Sequence, residues 1–148
     1  MPVYILDTDI LSLFRGGDPA VCARVTATPT SNLAVTGITA EEQLTGWLAF
    51  IRRAKRPDQI ERGYQELGQT IAFLASFRIL PFTQPAVAQF ENLKRQKLNV
   101  RGNDLRIAAI ALAHAATVVT RNVRDFASVP GLAVEDWSQP PPPAPSSP

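Results

Sequence analysis

Cysteine and histidine each occur once in the 148 residues, as Cys22 and His114. A single cysteine leaves no intrachain disulfide, and with one histidine it cannot supply the sulfur and nitrogen ligands of a zinc cage. Long apolar runs are missing too. Val3-Tyr4-Ile5-Leu6 is broken by Asp7, far short of a membrane span of about 20 residues, and no basic leader with a small-residue cleavage site stands in the sequence. Together these gaps predict an unexported protein of a reducing cytoplasm, with no membrane partner. A strong excess of one charge is also lacking. The formal net charge is +2, which excludes a nonspecific polyanion-coating protein and leaves nucleic-acid contact to local clusters. Two clusters exist, Arg52, Arg53, Lys55 and Arg56, then Lys94, Arg95, Lys97 and Arg101; each alone reads as a solvated helix face.

A hydrophobic content of 45% is enough for one core without staples. Val3 to Leu6 reads as a buried strand running into a short helix that ends at Gly16-Gly17, and Pro19 opens a second helix to about Ala27. After the loop Thr28 to Asn32, Leu33 to Thr36 is a strand. Leu44, Trp47, Leu48 and Ile51 recur at helical spacing between Thr39 and about Arg53. Pro57-Asp58 interrupts this helix, and Ile60, Tyr64, Leu67, Ile71 and Leu74 continue the period from about Gln59 to Ser76, which predicts a helical hairpin. Further strands are expected at Arg78 to Phe82, Thr117 to Thr120 and Leu132 to Val134, with helices from Gln84 to about Lys97 and from Asp104 to about Ala115. Apolar strands alternating with helices imply an α/β fold, a mostly parallel sheet of four or five strands covered on both faces. The expected domain is 1–138. The proline-rich tail 139–148 has too little apolar surface to repay ordering.

Acids stand where these elements begin or end: Asp7 after the first strand, Glu42 early in the hairpin, Asp104 at a helix start, and Asp125 after the Thr117 strand. Such termini converge at one edge of a parallel sheet, and their oxygens suit a hard cation such as Mg²⁺ or Mn²⁺. Taken singly, Asp104 reads as a helix cap and Glu42 as a solvated first-turn acid.

The local contexts resemble a known family. Ile5-Leu6-Asp7-Thr8-Asp9-Ile10-Leu11-Ser12 is similar to the opening strand of PIN-domain ribonucleases, and Ile38-Thr39 through Glu42, with Leu44 and Gly46, to their second acidic motif. Asn103-Asp104-Leu105-Arg106-Ile107-Ala108-Ala109-Ile110-Ala111 and Val119-Thr120-Arg121-Asn122-Val123-Arg124-Asp125-Phe126 complete a series spanning about residues 3 to 137. Within that family the likeness is to VapC-type toxins of toxin–antitoxin pairs. The resemblance implies a single PIN-like domain with a helical hairpin insertion, acting as a Mg²⁺- or Mn²⁺-dependent endoribonuclease. It assigns Asp7, Glu42 and Asp104 to the metal, Asp125 or Asn122 to the fourth position, and Thr8 and Thr120 to orienting a ligand or water. It also implies an RNA substrate met near Arg15, Arg106, Arg121 and Arg124, a cognate antitoxin, and a homodimer. Two positions depart from the pattern: Asn122 stands where many relatives carry an acid, and Asp9 where asparagine is frequent, the latter read as a helix cap.

Two other functions fit parts of the sequence. Asp7-Thr8-Asp9 after an apolar strand is similar to the start of haloacid-dehalogenase-type phosphotransferases, with Asp7 as nucleophile and Asp9 as general acid. A non-catalytic PIN-like interaction domain would use the acids as caps and the Trp47, Phe50, Tyr64, Phe73 and Phe77 region for binding, although those aromatics read first as core.

Overall fold

The computed structural model describes residues 2–141; of the expected tail, residues 142–148 lie outside the described residues. The chain alternates strand and helix. Strand β1 (Tyr4–Leu6) is followed by α1 (Thr8–Arg15) and α2 (Pro19–Ala27), then β2 (Leu33–Thr36). The long helices α3 (Gly37–Arg53) and α4 (Pro57–Ala75) lead to β3 (Arg78–Leu80) and α5 (Gln84–Arg95). The order closes with α6 (Gly102–Ala113), β4 (Thr117–Val119), α7 (Val123–Phe126) and β5 (Ala133–Glu135). The sheet order is β3-β2-β1-β4-β5 and every pairing is parallel.

Strand side chains point alternately to the two faces, so a sheet covered on both sides needs consecutive apolar residues. Ile5, Ala34, Leu80 and Val118 face one core, packed under α5 and α6 through Phe90, Leu93, Ile107 and Ala111. Their neighbours Leu6, Leu33, Val35 and Val119 face the other, formed with Ile10, Val21, Val25, Leu74 and Trp137.

Element limits moved from expectation where capping chemistry outweighed periodicity. Helix α3 starts at Gly37 because Thr36 caps it, its hydroxyl oxygen accepting from the Thr39 N–H at 3.2 Å. Glu42 is therefore well inside α3 rather than in its first turn. Pro57 occupies the first turn of α4, where its missing N–H costs nothing, instead of ending a helix. Helix α7 was not expected; four residues are too few to show a period. Gly17, at φ +82°, carries the turn after α1.

The predicted hairpin is present, with α3 packed on α4, and one glycine sets how closely the helices approach. A Cβ on Gly63 would lie 2.6 Å from Ile51 Cγ1 and 3.1 Å from Phe50 Cδ1. Gly68, on the same helix, has nothing within 4 Å of that position. The same substitution should therefore act with opposite sign. Gly68→Ala is expected to stabilise by about 1 kcal/mol through helix propensity. Gly63→Ala is expected to lose that gain to overpacking of about 1–3 kcal/mol and to be net destabilised. Urea unfolding midpoints of the two variants check this, and equal shifts would mean the hairpin contact is loose.

Candidate active site

In a sheet of order β3-β2-β1-β4-β5 the connections run outward in both directions from between β1 and β4, and the crevice beyond the carboxyl ends of those two strands is where open α/β sheets bind ligands. Asp7 is the residue after β1 and Thr120 the residue after β4. They meet: the buried Thr120 hydroxyl donates to Asp7 Oδ2 at 3.0 Å, and the Thr8 N–H donates to Asp7 Oδ1 at 2.9 Å. Asp7, not Asp9, caps α1. Asp9 instead ties two segments together, accepting from the N–H of Ile10 at 2.7 Å and from that of Arg121 at 3.1 Å.

Asp7 opens into a cleft of about 610 Å³ that also receives Thr8, Asp9, Glu42, Asp104, Asn122 and Asp125. The Asn122 N–H donates to Thr120 Oγ1 at 3.0 Å, which fixes the loop carrying that side chain. Burial pushes the Asp7 carboxyl up to about 6, against the lowering effect of the Thr8 and Thr120 hydrogen bonds, and nearby Asp9 and Asp104 raise it further. The Asp104 carboxyl is also raised, first by burial and then by Asp125, Glu42 and Asp9, with Arg101 opposing from a long 3.9 Å ion pair. Asp104 lies in the first turn of α6 without a side-chain cap bond at that terminus, so capping does not account for it.

Among the described residues, no three or more His, Cys, Asp or Glu side chains are gathered tightly enough to hold a metal ion. The acids feel one another across the cleft without collapsing together, as the mutual charge effects on Asp7 and Asp104 record. By chemistry, carboxylate and amide oxygens are the donors a small hard cation takes together with its own waters, and they are not those of zinc, since the single histidine, His114, ends α6 and does not line the cleft.

The four arginines expected near RNA lie outside this cleft. Arg15 borders an adjoining groove with Thr8, Gln43 and Trp47, its guanidinium over Phe73 at 5.0 Å. Arg106 lines a second cleft on the other side of Glu42, donating to Asn103 Oδ1 at 3.0 Å and lying over Phe90 at 5.0 Å. Arg121 and Arg124 are exposed. The cations in the acidic cleft are Arg53 and Arg101, joined by Gln43, Trp47 and Phe50. For all but Arg101, which precedes α6, the signal was helical spacing: counted from Glu42, positions 43, 46, 47, 50 and 53 share one face of α3. Of the five aromatics expected to be core, Phe77 is buried at 9% exposure whereas Tyr64 is 60% exposed.

Fold and cleft together define an α/β protein with a parallel sheet and a carboxylate site at its switch point. The chain belongs to the PIN domain family, which matches it over residues 4–132, and it is closely related to VapC-type ribonuclease toxins. It is 29% identical to Ribonuclease VapC1 of Haemophilus influenzae (strain R2866) over 139 residues, covering 93% of this chain and 99% of that protein. Its similarity to Ribonuclease VapC2 of Rickettsia felis is 32% identity over 71 residues, 45% of this chain but only about half, 53%, of that relative. Among solved structures, VapBC2 from Rickettsia felis bound to a DNA fragment from its promoter superposes with a TM-score of 0.70 at 25% identity, covering 91% of this chain and 98% of that one.

Proposed function

We propose that the chain is a Mg²⁺- or Mn²⁺-dependent endoribonuclease and the toxin of a type II toxin–antitoxin pair. The observation that carries this reading is a buried Asp7 carboxylate, held by Thr8 and Thr120 at the switch point, sharing one cleft with Glu42, Asp104 and Asp125. Membership of the PIN family and relatives named as ribonucleases support it.

Asp7, Glu42 and Asp104 would hold the cation, with Asn122 or Asp125 in the fourth position. When bound there, the cation would supply Lewis acidity toward a phosphoryl oxygen and would make an attacking water more acidic. The chain's own residues supply geometry and charge. Thr8 and Thr120 each occupy one oxygen of Asp7 and fix its plane. Asp9 holds the start of α1 against the loop before Asn122. Both Asp9 oxygens are engaged by backbone N–H groups, a positioning role rather than the one the dehalogenase-type alternative gives it. A non-catalytic domain would not need charge-disfavoured acids facing one cleft.

The partners follow from the same reading: an RNA substrate, a cognate antitoxin that covers the acidic cleft with a basic side chain, and a second copy of the chain in a homodimer. Described helices include none long and apolar enough to cross a membrane, and a cytoplasmic setting is part of the proposal. So is a nuclease domain that ends near residue 138.

Calorimetric titration with Mn²⁺ paired with an RNA cleavage assay tests the reading. Wild-type protein should bind Mn²⁺ and cleave, and EDTA should stop cleavage. Asp104→Asn should lose both. Loss of activity in Asn122→Ala with a silent Asp125→Ala assigns the fourth position to Asn122, and the reverse assigns it to Asp125. Mn²⁺-independent cleavage, or full cleavage by Asp104→Asn, defeats the metal mechanism.

A further inference from the structure

Resting on the ribonuclease reading, we propose that Trp47 and Phe50 form a stacking platform for one unpaired nucleobase beside the acidic end of the cleft. Both rings line the same cleft as Asp7, Glu42 and Asp104. Trp47 lies five residues along α3 from Glu42, roughly 7 Å of helix axis, a separation suited to holding a base while the acids meet its neighbouring phosphate.

The place of these rings separates them from the other aromatics. Tyr4, Phe14, Phe73 and Phe82 are also half-buried but pack against the two cores, whereas Trp47 and Phe50 belong to neither and line the cleft instead. They pack edge to face, with centroids 5.7 Å apart and planes at 76°, and both line the cleft. Phe50 is fixed from behind: Gly63 of α4 leaves room for it, and the Arg62 guanidinium lies 5.8 Å from its centroid. A rigid aromatic shelf of this kind costs little to order when a base arrives.

Electrostatics divides the cleft into two tasks. The carboxylates repel phosphate until a cation is bound, so they contribute nothing to first capture of RNA. Stacking on an aromatic face needs no charge and accepts any base, and Arg53 and Arg101 in the same cleft provide for the flanking phosphates. A base inside a duplex has both faces occupied by its neighbours and cannot use the shelf.

Binding of a labelled RNA oligonucleotide, single-stranded or annealed to its complement, is measured by fluorescence polarisation in an Asp104→Asn background, so that cleavage does not intrude. Trp47→Ala in that background is expected to weaken single-strand binding about tenfold, the range measured for loss of one base–aromatic stack, and to leave duplex binding unchanged. Trp47→Phe should restore most of the loss. Intrinsic emission gives a second readout, because Trp137 is buried and Trp47 is the tryptophan in the cleft: the single strand should quench it and the duplex should not. Unchanged single-strand affinity in Trp47→Ala, or equal weakening toward duplex, overturns the platform. The two readings fail separately: a wild type that does not cleave, with the Trp47 binding effect intact, removes the nuclease alone. A cleaving wild type with no Trp47 effect removes the platform alone.

Discussion

Asp7→Asn is expected to lower RNA cleavage by more than about a hundredfold and, in the same molecule, to raise the melting temperature of the metal-free protein. The loss follows if Asp7 holds the cation, since even the outer partners of metal ligands are worth about 10- to 100-fold. The gain follows from burial. The folded-state pKa of Asp7, about 6, lies above its ordinary 3.8, so between those values the native state holds a proton that the unfolded chain has released. Wild-type stability therefore falls as pH rises from about 4 to about 6 and is flat above, and the gap corresponds to roughly 3 kcal/mol. Asparagine keeps the oxygen that accepts from Thr8 and removes the buried charge, while its amide disturbs the Thr120 hydroxyl at about 1 kcal/mol. A net gain of about 2 kcal/mol, or roughly 6 °C in a chain of this size, is expected at pH 7. Thermal melts in EDTA from pH 4 to 7.5 read it directly. If Asp7→Asn melts at or below wild type at pH 7, with the acid-range slope intact, the buried charge is not where the instability lies.

Trp137→Ala should produce the largest loss of stability, about 3–5 kcal/mol, as expected for truncating a large buried aromatic. Trp137 is 1% exposed and lies just beyond β5. Its ring meets Tyr4 of β1 at 5.1 Å, the Arg24 guanidinium of α2 covers it at 4.9 Å, and its Nε1 donates to Glu135 Oε1 at 3.0 Å. Arg24 also pairs with Glu135 at 3.2 Å. None of Trp137, Tyr4 and Arg24 lines the cleft, so the folded fraction of the variant should still cleave; the one link to the site is the Glu135 carbonyl, which accepts from the Thr120 N–H at 2.9 Å. Truncation after Ser138 should leave the melting temperature unchanged, whereas truncation after Leu132, where the family match ends, should abolish folding. Survival of the shorter chain would move the domain limit inward.

Which of these features could be read from the amino-acid order depends on how local their causes are. The strands were legible because a sheet buried on both faces demands consecutive apolar residues, as in Tyr4-Ile5-Leu6 and Thr117-Val118-Val119. Asp7, Asp104 and Asp125 were legible because each follows a strand or stands near a helix start, whereas Glu42, well inside α3, was legible only through its local motif. Their mutual placement was not, since Asp7 and Thr120 meet only through the β1–β4 pairing. Arg53, Trp47 and Phe50 were harder still. Their helix face is countable from Glu42, but whether that face meets the cleft depends on how α3 seats against α4, which Gly63 decides through contact rather than propensity. The same limit applied to Arg15, whose neighbour in sequence is the turn after α1 and whose actual contacts, Phe73 and Thr70, come from α4.

The β1–β4 pairing has a consequence in time. Asp7 and the hydroxyl that holds it are 113 residues apart, so the acid pocket stays unfinished until Thr120 has been made and has emerged. An all-parallel sheet of this order also has mostly distant partners and folds slowly for its length. The cleft cannot be complete before β4 has paired with β1, a delay built into strand order alone.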